Sequence, residues 1–453
     1  MNFTAEQIAE ATGGTVVTDA GAGRIHTDSR TCKAGDWFLA IVGERFDGHD
    51  VLDSLVEPAG VIVDRDVDVT CGVVRVEDTT KAFQDLGRAA RDRLKGPVVG
   101  LTGSAGKTTT RALIACALSP LGDIHQTVGN LNNHFGVPMT LVAAPERASA
   151  NVVEMGTSGP GEIALLSSIG RPDIRLIVNI GASHLEELGG LPGVAEEKGA
   201  LFRDSRPGDI CCVNVDDPYI REMTIPDHAT VITYGTAENA RVRLLEARID
   251  PVALSTQMAF EIDGKSHFCE LPTPGLHMAH NAAGALAVAL AAGVDLGQAC
   301  EAMTAYQPVG MRMAIESLPK GITAFNDAYN ANPTSMEASL RMFASLPGRK
   351  VAVLGDMLEL GDDEARFHDE IAELAVRLRL DRVLLVGPRM SLALQGVDAG
   401  RVERAVDGTL LAGPLADWLR AGDRVLFKGS RGAKVERILQ ALSHALASSS
   451  EVS

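Results

Sequence analysis

Hydrophobic and polar positions change rhythm three times along the 453 residues. Up to about residue 93, an amphipathic stretch at 3–11 and brief apolar runs at 37–41 and 60–63 predict a small α/β unit. At Pro97 apolar, β-branched runs begin to alternate with helical periodicity. Strands are expected at 98–101, 151–154 and 176–180, with helices after Lys107, from Glu162 and from Val194. Such alternation predicts a mainly parallel sheet covered by helices on both faces. Between 241 and 271 the period falls to two around Asp263-Gly264, a hairpin signal, so an antiparallel extension is expected. An alanine-rich helix at 280–292 closes that region. Beyond Pro308 a second α/β rhythm places strands at 350–354, 382–386 and 424–428. The predicted class is therefore α/β in three domains: a small α/β domain over 1–93, a central P-loop parallel-sheet domain with an antiparallel extension over 94–308, and a Rossmann-like α/β domain over 309–453. The polar tail, 447–453, is expected to fray.

Composition narrows the classes. Charged residues are 22% and hydrophobic ones 45%, which suits packed domains rather than a disordered chain. The formal charge of -17 repels a phosphate backbone or an anionic bilayer, so any phosphate must be bound in a local pocket, with neither nucleic acid nor membrane as partner. Seven scattered cysteines without a CxxC pair read as reduced thiols. The first residues have neither the basic nor the apolar segment of a signal peptide, and the most apolar helical stretch, 282–293, is too short to span a bilayer. A cytoplasmic monomer is expected.

The chemistry begins at 98–110, VVGLTGSAGKTTT: an apolar strand, a glycine-rich turn, and Lys-Thr-Thr opening a helix. Backbone N–H groups of Gly103, Ser104, Ala105, Gly106, Lys107, Thr108 and Thr109 can cradle phosphates, Lys107 adds charge, and the Thr108 hydroxyl can reach Mg²⁺. The full P-loop pattern has a glycine where this chain has Leu101, so only Gly103-x-x-Gly106-Lys107-Thr108 is kept. A P-loop alone implies a nucleotide and leaves kinase, motor and ligase open.

Further stretches narrow the choice. They are Thr27-Asp28-Ser29-Arg30, Phe46-Asp47-Gly48-His49, Gly129-Asn130-Leu131-Asn132-Asn133, Glu154-Met155-Gly156, Asn179-Ile180-Gly181, His184-Leu185-Glu186, His280-Asn281-Ala282, Asp327-Ala328-Tyr329-Asn330-Ala331-Asn332-Pro333, the run LGDMLELG at 354–361, and Lys428-Gly429-Ser430-Arg431. Together, from about residue 27 to 436, they resemble the Mur ligases. The YNANP and LGDMLELG runs are similar to the MurF branch.

That resemblance implies an ATP- and Mg²⁺-dependent amide ligase of peptidoglycan precursor synthesis. It would phosphorylate the carboxylate of UDP-N-acetylmuramoyl-tripeptide and join it to D-alanyl-D-alanine, two small-molecule substrates. Catalytic roles are implied for Lys107, Glu154, His184 and Lys198, with Thr108, Glu154, His184 and Lys198 around the metal. Lys198 would be carbamoylated, although on sequence alone it lies on an ordinary charged helix face. A strand-end Glu154 could equally be solvated, and His184 could be a structural histidine. Asn281 would contact adenine, Arg312 the γ-phosphate and Asp327 the ribose or α-phosphate side. Ser29, Arg30, Thr127, Asn132 and Asn133 are candidates for the nucleotide sugar, and Tyr329, Asn330 and Asn332 for the dipeptide.

Three positions depart from the family text: Met311 in place of a glycine, Asn326 in place of an aspartate, and Ala200 in place of a glutamate. They leave open a related ligase with a different carboxylate and amine. A nucleotide-binding pseudoenzyme is a third possibility, disfavoured by the retained Lys107, Thr108, Glu154, His184 and Lys198.

Overall fold

A computed structural model describes residues 1–43, 45–395 and 400–448. Three sheets follow one another along the chain, each in an α/β layer arrangement. The first has five strands in the spatial order Thr15–Thr18, Gly72–Arg75, Gly60–Val63, Trp37–Leu39, Ile25–His26, antiparallel only at the first pair. Its helix, Ala5–Thr12, starts later than periodicity predicts. Thr4 takes an extended conformation and caps it, its hydroxyl accepting from the Gln7 N–H while the Gln7 side chain accepts from the Thr4 N–H. Phe3, expected inside the helix, instead pairs with Gly23 and is buried.

The central sheet has nine strands. Val98–Thr102 lies in its interior, between Ile174–Ile177 and Ala150–Glu154 and parallel to both. All of its residues are buried, which explains the unbroken apolar run and Leu101 in place of a glycine: that position is inside the sheet. The expected antiparallel extension is present. Val242–Asp250, Ser255–Ile262 and Lys265–Leu271 pair antiparallel, the last two across Asp263 (φ 48°) and Gly264 (φ 76°), the two positive φ angles of a type I′ hairpin. The alanine-rich helix is Leu276–Ala291, one turn longer than expected, and it packs on the helix Lys107–Leu118. The strand predicted at 176–180 ends at Ile177, because the chain then turns towards the phosphate loop.

The third sheet runs Ala314–Leu318, Ile322–Asp327, Arg424–Lys428, Lys350–Leu354, Arg382–Val386, Val402–Ala405, parallel except for its first strand. Asp327 and Lys428 stand at the carboxyl ends of adjacent strands, where open parallel sheets bind ligands.

Cys269 and Cys300 form a disulfide between Lys265–Leu271 and the helix Leu296–Met303. This corrects the expectation of seven reduced thiols. A separation of 31 residues gives no hint that the hairpin lays its edge strand beside that helix, bringing the two Cα atoms to 4.9 Å. Cys32, Cys71, Cys116, Cys211 and Cys212 are free. Of the tail expected to fray, Ala447 and Ser448 end the helix Glu436–Ser448, and 449–453 lie outside the described residues. Among the described residues no helix is long and apolar enough to cross a membrane.

Candidate active site

A cavity of about 510 Å³ opens between the central and third sheets. The phosphate loop forms one wall. Gly106 (φ 79°) turns the chain into the helix Lys107–Leu118, and a Cβ there would lie 3.2 Å from the Asn281 amide, so the loop needs glycine both for backbone and for room. The loop is braced from behind. The Ser104 N–H donates to Asn179 O (3.0 Å), the Ala105 N–H to Asn179 Oδ1 (2.9 Å), and the Gly181 N–H to Ser104 Oγ (2.9 Å). Lys107 folds its ammonium back onto Gly103 O at 2.7 Å. Burial lowers its pKa, Glu154 opposes that shift, and the guanidinium of Arg312 adds to it.

Glu154 ends its strand almost wholly buried. Its carboxylate accepts from Thr108 Oγ1 (3.2 Å), Asn132 Nδ2 (2.9 Å) and the buried Arg111 guanidinium (3.0 Å). An ion pair inside the protein survives only with its remaining lone pairs satisfied, and these contacts supply that. Thr127 lies beneath, its hydroxyl accepting from the Glu154 N–H at 3.0 Å, so it orients Glu154 rather than lining the cavity.

Lys198 is 1% exposed on the helix Leu191–Arg203. Burial first, and Lys107 second, push its pKa down to about 7, against Glu197. Its neighbour Glu197 is also buried, accepting from the Gly161 and Ile163 N–H groups at 2.7 Å. Of the charged face that the sequence suggested, Glu197 and Lys198 are interior, while Glu196 stays at the surface, paired with Arg203. Ala200, buried on the same helix, packs with Leu201 and Phe202 in the core.

The third domain supplies the opposite wall. Asp327 accepts from Lys428 Nζ (2.6 Å) and Ser339 Oγ (2.7 Å), and Lys428 also donates to Asn330 O at 3.3 Å. Arg312 stacks over the Tyr329 ring, 3.6 Å from its centroid. Asn332 caps the helix Pro333–Ser345 and reaches across to Ser104 O at 3.4 Å. His184 (φ 51°) lies 2.7 Å through Nδ1 from Glu359 Oε2 of the third domain, and the imidazole holds that carboxyl below its usual range.

Of the sequence-predicted residues, the cavity lining includes Ser104, Ala105, Gly106, Lys107, Thr108, Thr109, Asn132, Asn133, Glu154, His184, Asn281, Arg312, Asp327, Tyr329, Asn330 and Asn332. Gly103, Thr127 and Lys198 stand behind it. Ser29 and Arg30 lie in the first domain, away from the cavity, where Arg30 is exposed and paired with Asp28 at 2.7 Å. Met311, Asn326 and Ala200 do not line it either. Asn326 donates to Glu316 Oε1 across the strand pair at 2.7 Å, which an aspartate could not do while ionised.

Two family descriptions cover this arrangement: the Mur ligase middle domain over residues 101–289 and the Mur ligase glutamate ligase domain over 311–431. The chain belongs to the Mur ligase family. It is 35% identical to the UDP-N-acetylmuramoyl-tripeptide–D-alanyl-D-alanine ligase of Bacillus subtilis over 92% of each chain, and 33% identical to the Escherichia coli enzyme of the same name over 96% of this chain and 95% of that one. The crystal structure of MurF from Acinetobacter baumannii superimposes with a TM-score of 0.90 at 33% identity, covering 98% of this chain and 99% of that one. MurF ligase from Thermotoga maritima in complex with ADP matches at 0.84 and 29%, covering 94% and 98%.

Sequence reasoning missed several residues of this Mur ligase site. Arg111, Glu197 and Glu359 look like ordinary surface charges until their partners are known. His277 was passed over as well. It lines the cavity beside Asp327, and burial pushes its pKa down to about 4, so it is neutral at pH 7. A signal was available for Asn179, Glu359 and Lys428, which fall inside the runs that carry the family resemblance.

Proposed function

We propose that this Mur ligase joins D-alanyl-D-alanine to UDP-N-acetylmuramoyl-tripeptide, cleaving ATP to ADP and phosphate. The observation that carries this reading is the convergence of two domains on one cavity: the braced phosphate loop and Glu154 on one side, and Arg312, Asp327 and Lys428 on the other. Full-length similarity to enzymes named for that reaction supports the choice of substrates. In the first step a carboxylate oxygen of the tripeptide bonds to the γ-phosphorus as the bond to the β-phosphate oxygen breaks and ADP leaves. In the second the amine nitrogen adds to the carbonyl carbon, loses a proton, and expels phosphate carrying the former carboxylate oxygen.

The chain's part is chiefly positioning and charge. Loop N–H groups and Lys107 hold the β- and γ-phosphates, and Arg312 neutralises charge arriving on the transferred group. Asn281 contacts the base, Asp327 the ribose side, and His184 the metal. Asn132, Asn133, Ser29 and Arg30 take the nucleotide sugar, with Thr127 acting through Glu154, and Tyr329, Asn330 and Asn332 take the dipeptide.

The Thr108 hydroxyl and the Glu154 carboxylate, 3.2 Å apart beside Lys107, suit a hard cation that keeps most of its water and phosphate ligands. Among the described residues no three of His, Cys, Asp and Glu gather into a cage, and Mg²⁺ bound this way requires none. When bound, it would draw charge from the phosphoryl oxygens. Lys198, with its lowered pKa, is partly a free amine at neutral pH and fits carbamoylation, in which its nitrogen bonds to CO₂ and a proton is released. Incubation with ¹³C-bicarbonate should give a carbamate carbon resonance that Lys198→Ala lacks.

ADP formation should require both the muramoyl tripeptide and D-alanyl-D-alanine, and ¹⁸O in the tripeptide carboxylate should pass into inorganic phosphate. Turnover with some other amine, or label retained wholly in the peptide product, would defeat the proposal. A cytoplasmic monomer is the expected working form, with sedimentation velocity as the check on its mass.

A further inference from the structure

Glu359 belongs to no strand or helix, and its backbone sits at φ 63°, a costly conformation for a residue with a side chain. Its partner across the domain gap, His184, is also left-handed, at φ 51°. The two side chains approach to 2.7 Å, each from a backbone conformation that the surrounding structure must hold.

The support for Glu359 is rigid. Asp356 accepts from the Arg389 and Met390 N–H groups at 3.0 and 2.7 Å. The Met357 N–H donates to His368 Nε2 at 3.0 Å, and the Gly355 N–H donates to Lys428 O at 2.8 Å. Met357 and Leu360 are buried in the third-domain core. Just beyond, a Cβ on Gly361 (φ 61°) would stand 3.6 Å from Glu186, so this run lies directly on the segment that follows His184. Glu359 therefore moves with the third domain.

The pair itself is half open to solvent, with the Glu359 side chain 55% exposed. A polar contact so exposed adds little to affinity between domains. Its consequence is orientation: the buried Nδ1 makes no hydrogen bond of good geometry here, and the Glu359 carboxylate 2.7 Å away is an acceptor within reach, so a small ring rotation onto it would set the imidazole plane and leave Nε2 for the cavity that His184 lines.

We infer that Glu359 is a positioning residue, delivered by the third domain, that orients His184 and so makes the central-domain site competent only when the third domain is seated. This rests on the ligase reading for its kinetic consequence but not for its structural one. The chemical step should then depend on Glu359 while nucleotide binding should not.

Glu359→Ala should lower kcat by about 10–100-fold, the usual scale for losing the group that orients a functional histidine, and leave KM for ATP within about threefold. Glu359→Gln keeps an oxygen that can accept from Nδ1–H and should recover most of the loss. In the full chain, free of metal and nucleotide and labelled with ¹⁵N-histidine, the imidazole resonances absent from His184→Gln belong to His184. Glu359→Ala should move those towards averaged tautomers, and Glu359→Gln should not. Unchanged His184 resonances in Glu359→Ala would overturn the inference whatever the protein's substrates are. So would a fall in kcat matched by an equal rise in KM for ATP. Failure of the ligase reading would appear separately, as absent turnover in the unmodified protein with intact imidazole behaviour.

Discussion

Lys198→Met should stabilise the protein at neutral pH while abolishing turnover, and the gain should shrink as pH rises. In the folded chain burial and Lys107 lower the lysine pKa from 10.5 to about 7. At about 1.4 kcal/mol for each tenfold change in proton affinity, that difference penalises the charged, folded form by on the order of 5 kcal/mol. Unfolding releases the side chain to water, where it takes up a proton at any pH below 10.5. Between about pH 7 and 10.5 the unfolded state thus binds more protons than the folded one, and stability rises with pH across that window. Below about pH 7 both states are protonated and the full penalty applies. Methionine has a similar length, no charge and no such dependence. The advantage of Lys198→Met over the unmodified protein should therefore fall by about 2.5 kcal/mol between pH 7.5 and 9.5. Hydrogen exchange of the amides in the helix Leu191–Arg203 reads this locally, without requiring three domains to unfold together. The work needs CO₂-free buffer, because a carbamate would replace the penalised cation; added bicarbonate should recover part of the deficit in the unmodified protein only. An advantage independent of pH, or one that grows with pH, would refute the reasoning.

Lys107→Ala should abolish phosphate release while leaving the circular dichroism spectrum nearly unchanged, since the ammonium donates to the loop carbonyl of Gly103 rather than to the core. Arg111→Met should cost about 3–5 kcal/mol in urea unfolding, because it strands the Glu154 carboxylate in the interior; a loss below about 1 kcal/mol would show that Asn132 and Thr108 suffice. Asn326→Asp should destabilise by about 1–3 kcal/mol at pH 7 by facing the Glu316 carboxylate, with the loss relieved in melts at pH 4, where one of the two acids takes a proton.

Much of the fold was legible because strand burial writes itself into consecutive residues. Val98–Thr102 is apolar at almost every position since both sheet faces are covered, and the Asp263-Gly264 hairpin announces itself by the only φ angles its turn permits. The phosphate loop was legible for a similar reason, being local in sequence. What periodicity could not show was partnership at a distance. Thr127 looks like a substrate-contacting hydroxyl until its 3.0 Å contact with the Glu154 N–H is seen, and Cys269 and Cys300 look like separate thiols until the hairpin is folded.

Lys198 and His184 mark the boundary most clearly. The run Glu196-Glu197-Lys198 has the pattern of a solvated face, and propensity favours it on a helix whatever surrounds it. Yet Glu197 and Lys198 are buried, and Glu197 is bound by N–H groups of the 161–163 segment, thirty-odd residues upstream. His184 likewise acquires its meaning from Glu359, which arrives on another domain. In both cases a second segment sets the surroundings of the side chain, burying its neighbourhood in one and approaching its ring in the other. Pairwise energies of that kind depend on distance in space, which the order of residues encodes only through the completed fold. A site assembled between domains is therefore least visible in sequence where domain seating matters most, and the Glu359 contact is where the two dependencies coincide.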